Sequence, residues 1–289
     1  RRANMSISAS AVLVEMNVSV WTATKVDRCA TDEVTVIKGA TKGSAQVRKN
    51  LMAGTSLRKD IADFAGTCRN WHLTRTLAWA DKGPRLLPTS LFFDYKTEVN
   101  DRRTKFNAMV NMFIDNYPSL IRVSQNSLVG LYDPNDYPSV DVVRSKFDFR
   151  LVFSPVPESG DFRLDIAHQD LAEVRSQYEE SYNQRIKDAM REPWDKLHKT
   201  LSAMSEKLTD GEGEDAPKKR YHDTLVTNAV ELCEMLTHLN ITKDPELERA
   251  RQQLQATMRG ADIEVIKESP HARESMKRSV DAILKQFEW

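Results

Sequence analysis

The apolar positions of this chain change period several times, and each change marks an element. Residues 13–21 read LVEMNVSVW, with Val14, Met16, Val18 and Val20 apolar and Glu15, Asn17 and Ser19 polar. That period of two predicts a half-buried strand. Residues 38–55 mix Gly, Ser, Thr and cations and predict a loop with at most one helical turn. From Leu57 the spacing becomes helical: Leu57, Ile61, Phe64, Cys68 and Trp71 recur at fours and threes, predicting a helix to about Ala80, stopped by Lys82-Gly83-Pro84. Pro88-Thr89-Ser90 then opens a second long helix, with Thr89 or Ser90 as N-cap. Its stripe is Phe92, Tyr95, Val99, Phe106, Met109, Val110 and Phe113, and it is expected to end before Pro118. The two helices are read as an antiparallel hairpin.

Residues 130–139 carry two prolines and several turn formers and are read as loop. In FDFRLVF (147–153) and FRLDI (162–166) apolar and polar residues alternate, which predicts a β-hairpin around a Pro/Gly loop, with the strand at 13–21 as a third member. Beyond Ala167 the pattern is helical. Leu171, Val174, Tyr178, Tyr182, Ile186, Met190, Trp194, Leu197, Leu201, Met204 and Leu208 follow one another in steps of three and four only. This is one narrow stripe, the seam of a long coiled-coil-like helix. Pro193, lacking an N–H, should kink or restart it. Residues 210–220 read as a polar linker, and the returning helix covers about 221–239. Two shorter helices follow, at about 245–259 and 271–287. The expected fold is α+β and predominantly helical, with a mixed part at 5–167 and a helical arm or bundle at 168–289.

Composition narrows the function classes. The 289 residues hold 42 Lys/Arg and 42 Asp/Glu, so the net charge is zero, which argues against a protein that coats nucleic acid by charge alone. Three distant cysteines, Cys29, Cys68 and Cys233, cannot form a disulfide framework and point to a reducing compartment. No window has the roughly 20 apolar residues of a membrane span. Charge is uneven: residues 1–120 carry 18 Lys/Arg against 11 Asp/Glu, and the remainder 24 against 31. Arg1-Arg2 ahead of Met5 reads either as a tag remnant or as a translated purine-rich ribosome-binding sequence, the latter making Met5 the native start of a bacterial or phage gene.

Motif chemistry is sparse. Gly39-Ala-Thr-Lys-Gly43-Ser44 lacks the spacing and the Lys-Ser/Thr pair of a phosphate-cradling loop. No G-x-G-x-x-G, H-E-x-x-H or G-x-S-x-G occurs, and no cysteine pair has zinc spacing. The six histidines, His72 among them, are scattered and read as surface or capping residues. Cys68 and Cys233 read as small core hydrophobes. Asp148, Arg150, Arg163 and Asp165 read as cross-strand ion pairs on a solvated face. No catalytic residue, metal ligand or cofactor is therefore expected.

Two features could carry binding. The basic segment 38–105 holds Lys42, Arg48, Lys49, Arg58, Lys59, Arg69 and Arg75, interleaved with Trp71, His72 and Trp79, a pattern that suits single-stranded nucleic acid. The long seam, with Tyr178, Tyr182, Ile186, Met190 and Trp194, could instead pack on a partner or on another copy. The unequal charge of the two parts favours head-to-tail contact between copies.

The order of features, VSVWTATKVD, TKGSAQVRKNL, RLLPTSLFFDY and KFNAMVNMFIDNYPSL before the β-hairpin, resembles an uncharacterised family of bacteriophage and bacterial proteins. Genes of that family often lie near a MoxR-type AAA+ ATPase. The resemblance implies an accessory or adaptor of an ATPase system in the host cytoplasm, working through protein–protein contact, and transfers no catalytic residue.

Overall fold

A computed structural model describes residues 7–80, 82–157, 168–209, 221 and 223–289. The expected strand at 162–166 with its partners Arg163 and Asp165, the boundary at 167, the linker 210–220, residues 1–6 and the side chain of Leu171 lie outside the described residues. The fold is α+β, predominantly helical, with a small antiparallel sheet and long C-terminal helices.

In chain order the elements are α1 (Ile7–Ser10), β1 (Ala11–Ser19), β2 (Thr24–Asp27), α2 (Arg28–Ile37), β3 (Val47–Asn50), α3 (Leu57–Arg75), β4 (Leu77–Ala78) and β5 (Arg85–Pro88). After a 3₁₀ turn come α4 (Phe92–Leu128), α5 (Val140–Arg144), β6 (Asp148–Pro155) and α6 (His168–Leu208). The chain ends in α7 (Thr224–Leu239), α8 (Pro245–Met258), α9 (Ile263–Glu268) and α10 (Pro270–Gln286). Four strands form one sheet in the order β4-β5-β1-β6, and β2 pairs with β3. Contacts group the chain into two compact units, one of residues 1–15, 73–93 and 152–289, the other of residues 16–72 and 94–151.

The second of these units is a helical layer with a small hairpin. α3 and α4 run antiparallel, since Lys105 lies over Phe64 while Arg102 and Tyr95 meet Trp71. α3 ends at Arg75 rather than near Ala80. The chain turns extended there because Leu77 and Ala78 pair with Leu86 and Arg85. α4 does not stop before Pro118 but runs through it to Leu128. Tyr117 and Leu120 continue the buried stripe and Tyr117 Oη donates to Pro138 O at 3.0 Å, so packing outweighs the hydrogen bond the proline omits. Residues 38–55 are not all loop: Val47–Asn50 pairs with Thr24–Asp27 in register Thr24↔Asn50. Trp21 packs edge-on against Phe113 and Tyr117, with centroids 6.2 and 5.9 Å away.

Gly54, at φ +75°, sits beside α4, where Ser124 Oγ donates to Ala53 O at 3.2 Å. A Cβ there would strike Ser127 Oγ and press on Val123. Gly54→Ala is therefore expected to cost at least about 1–2 kcal/mol in urea unfolding, from the left-handed backbone alone.

The other unit packs helices on a sheet. β1 pairs antiparallel with β5, Ala11 opposite Pro88. Ala11, Leu13, Leu77, Trp79 and Leu86 join Ala189, Leu239 and Ile241 in one apolar cluster, against which Tyr182, Ile186 and Met190 of α6 pack. A second cluster gathers Leu197, Leu201, Met204 and Leu208 of α6 with Ala229, Leu236, Leu254, Val280 and Ile283. The stripe read from sequence thus changes partner midway. α6 continues through Pro193 without a break, so the helix does not restart there. The last helices are capped as their sequences dictate. Asp244 ahead of Pro245 accepts from Glu246 N at 2.9 Å, Asp262 from Glu264 N at 2.9 Å, and Ser269 ahead of Pro270 from Ala272 N at 3.2 Å.

Candidate functional site

The seam residues predicted to meet a partner are spent inside the fold. Tyr182, Ile186 and Met190 pack on the sheet, and Tyr178 stacks on Tyr182 with centroids 6.3 Å apart. Trp194 lies against Phe287 and Trp289, and its Nε1 donates to Asp244 Oδ2 at 3.0 Å. All five are half-buried, so none offers a bare apolar ridge.

The basic segment is dispersed. Lys49 is buried: its Nζ lies 2.5 Å from Asp136 Oδ2 and 3.3 Å from Asp27 Oδ2, and donates to Leu131 O at 2.9 Å. Lys25 closes the set at 2.7 Å from Asp136 Oδ1. The hydrogen bond to Asp136 holds the Lys49 ammonium above the usual lysine range. Burial pushes Asp136 up, but Lys25 and Lys49 outweigh it and hold the carboxyl below its ordinary value. Two cations and two carboxylates cancel here, so Lys49 ties the hairpin to the turn at 134–136 and is not a phosphate contact.

Arg58 Nε donates to Trp21 O at 2.9 Å and Arg69 Nη2 to Val18 O at 2.6 Å, both structural bonds to backbone. Lys59 pairs with Asp63 at 2.6 Å, and Arg75 donates to Thr74 Oγ1 at 2.7 Å. Lys42 and Arg48 are exposed. The aromatic residues that would stack bases are inside: Trp71 stacks on Tyr95 at 4.8 Å with Arg102 over it at 4.7 Å, and Trp79 is 3% exposed. His72 is likewise buried, against the surface reading, and its Nδ1 shares a 2.8 Å hydrogen bond with Tyr95 Oη, whose pKa burial raises.

The structure assembles instead a cluster that sequence reasoning missed. Glu192 of α6 accepts from the Ala78 backbone N–H, from Arg85 Nη2 at 2.8 Å and from Lys196 Nζ at 2.6 Å. Arg85 also reaches Thr76 Oγ1 at 2.8 Å and Thr76 O at 3.1 Å, and Lys196 caps Leu73 O and Thr76 O at 3.0 and 3.2 Å. Burial pushes Glu192 up, yet the charge and hydrogen bond of Lys196, with Arg85 and the Ala78 amide, hold it below the ordinary glutamate value. Burial likewise drives the Lys196 ammonium down, against the pull of Glu192. Beside the cluster opens a cleft of about 490 Å³, lined by Trp79 and its flanking alanines with Lys82, Arg85, Arg185 and Asp188. Arg185 lies over the Trp79 ring, 6.0 Å from its centroid, and Tyr182 meets that ring edge-on.

A second concavity of about 270 Å³ borders Cys233, whose thiol burial pushes up to about 11. It is a protonated core residue at neutral pH, as its place on the α7 stripe suggests, and Cys68 is fully buried. Cys29 is exposed on α2. Among the described residues no group of three or more His, Cys, Asp or Glu is placed to hold a metal ion. Among them, too, no helix is long and apolar enough to cross a membrane.

The surface carries one more unusual element. α2 is amphipathic, capped by Asp27 accepting from Ala30 N at 2.9 Å, and has no buried residue. Its Thr31 Oγ1 accepts from Val47 N at 2.9 Å, which anchors it to the hairpin. Val34, Val36 and Ile37 remain 38%, 79% and 76% exposed.

Comparison of the chain with family models, with curated proteins and with solved structures gives no match.

Proposed function

We propose that the chain is a non-enzymatic accessory protein of the phage type, an adaptor for an AAA+ ATPase system that acts through protein–protein contact and assembles with copies of itself in the cytoplasm. The observation that carries this reading is α2. A ten-residue helix that shows Val36 and Ile37 to solvent forgoes roughly 1.5–3 kcal/mol for each such side chain left unburied. A partner surface recovers that free energy on docking.

Charge favours a second copy as the occupant. The unit holding α2 carries 17 Lys/Arg against 13 Asp/Glu, and the other unit 25 against 29. A basic surface on one copy meeting an acidic surface on the next is a head-to-tail contact, which closes rings or builds filaments.

Co-expression of tagged and untagged full-length copies tests this. At low salt the untagged copy is expected to co-purify. Adding V36D and I37D together should remove it, because two carboxylates would be desolvated against an apolar surface. Higher ionic strength should weaken capture, since the steering charges are screened. An untagged copy left behind at low salt, or capture indifferent to V36D/I37D, contradicts the reading.

A further inference from the structure

We infer that the cleft beside Trp79 binds a phosphoryl-bearing small molecule. This goes beyond the assembly reading and does not depend on it, because every residue concerned lies in the unit without α2.

Charge balance gives the class of ligand. The cleft and the cluster behind it hold four cations, Lys82, Arg85, Arg185 and Lys196, against two carboxylates, Asp188 and Glu192. Glu192 is shared between Arg85 and Lys196, so it neutralises only one of them. Among the described residues cations outnumber carboxylates around this concave wall, which suits an anionic ligand. Asp81, the neighbour of Lys82 in the chain, lies outside the described residues.

Geometry narrows the choice to a tetrahedral oxyanion over a simple halide. Arg85 is held by Thr76 and Glu192, so its guanidinium is oriented before any ligand arrives. The Arg185 guanidinium lies over Trp79, which supports it from one face. Thr76 and Glu192 occupy Arg85 Nε and Nη2, so its Nη1 is the nitrogen that can reach a ligand, and Arg185 and Lys82 line the same cleft as further charge-assisted donors to phosphoryl oxygens. The cleft, at about 490 Å³, exceeds what a lone phosphate fills and falls within the roughly 300–1,000 Å³ typical of small-molecule pockets. Ala78 and Ala80 keep the wall small and apolar, which leaves room for the body of the ligand beside the phosphoryl group.

Calorimetric titration of the full chain at low salt, with inorganic pyrophosphate and with ADP as probes, tests this. Saturable binding at one site per chain is expected for both. Lys82→Gln and Arg185→Gln should each weaken it about tenfold, the loss of one charge-assisted contact, with unchanged circular dichroism. Asp188→Asn should leave binding unchanged or tighten it by removing the opposing charge. No saturable binding of either probe overturns the proposal, as does binding that survives the Lys82→Gln/Arg185→Gln double variant. Binding of a single-stranded oligonucleotide with neither probe bound overturns it as well, in favour of a nucleic-acid backbone.

Discussion

Glu192→Ala is expected to lower the unfolding free energy by about 2–3 kcal/mol, between the cost of breaking an exposed ion pair and that of breaking a buried one. The carboxylate is 22% exposed, and its partners Arg85 and Lys196 are 15% and 21% exposed, so water can replace only part of what the substitution removes. Two cations and the Ala78 amide would lose their shared acceptor at once, and the two-residue strand β4 would lose its tie to α6. Urea unfolding of wild type and variant measures the difference. Glu192→Gln keeps the shape and one acceptor oxygen and should fall between the two. A loss below about 1 kcal/mol for Glu192→Ala would mean that the cluster is solvated like an ordinary surface pair.

The same cluster sets a pH dependence of definite sign. The folded pKa of Glu192 is below its ordinary value, so its stabilisation is complete above the unfolded glutamate pKa and fades as pH falls through the folded one. For Lys196 the folded pKa is also depressed, but the group is a base. The unfolded chain therefore binds the proton more readily, and stability climbs with pH in the window between the folded value and the ordinary lysine value. In wild type both contributions raise stability with pH, one in the acid range and one in the alkaline range. In Glu192→Ala the acid-range contribution should disappear.

Leu201→Ala is expected to cost about 3 kcal/mol, within the range of roughly 2–5 for emptying a leucine site in a well-packed core. Leu201 is fully buried in the cluster that α6 makes with the C-terminal helices, between Leu197 and Met204 of its own stripe. Those neighbours are held by α7, α8 and α10, so the hole cannot collapse easily. Thermal unfolding followed by circular dichroism reads the loss directly. A change under about 1 kcal/mol would place the stripe at a loosely packed surface.

The elements legible in the sequence are those whose burial is one-sided and repeated. The α6 stripe qualifies because eleven apolar positions in steps of three and four leave one solution. β1 and β6 qualify because alternation admits only a half-buried strand. β2 and β3 escaped notice because TKVD and VRKN hold one apolar residue each, and their pairing depends on Lys49 meeting carboxylates 22 and 87 residues away along the chain. β5 reads RLLP, with Leu86, Leu87 and Pro88 all buried, so it has no alternation to detect. Trp79 was read as helical because helix and strand can share a short apolar run, and only the pairing of Leu77 with Leu86 decides between them.

The candidate sites were less legible still. Seam and basic segment are patterns of residue type, and a pattern does not say whether its partner lies in the same chain. Tyr182, Ile186 and Met190 pack on the cluster that holds the sheet residues, and Trp194 packs on the C-terminal helices. The Trp79 cleft joins Lys82 and Arg85 to Arg185, a hundred residues further on, and no local spacing announces that meeting. α2 could have been found, since Cys29, Val36 and their neighbours Val34 and Ile37 make a short apolar face after an Asp cap.

Sedimentation equilibrium of the full chain across a concentration series, at low and at high salt, weighs most directly on assembly through α2. A mass well above 33.0 kDa at low salt is expected, falling toward the single-chain value at high salt and in the V36D/I37D variant. A single-chain mass at every concentration and salt would contradict it, and so would a multimer that V36D/I37D leaves intact.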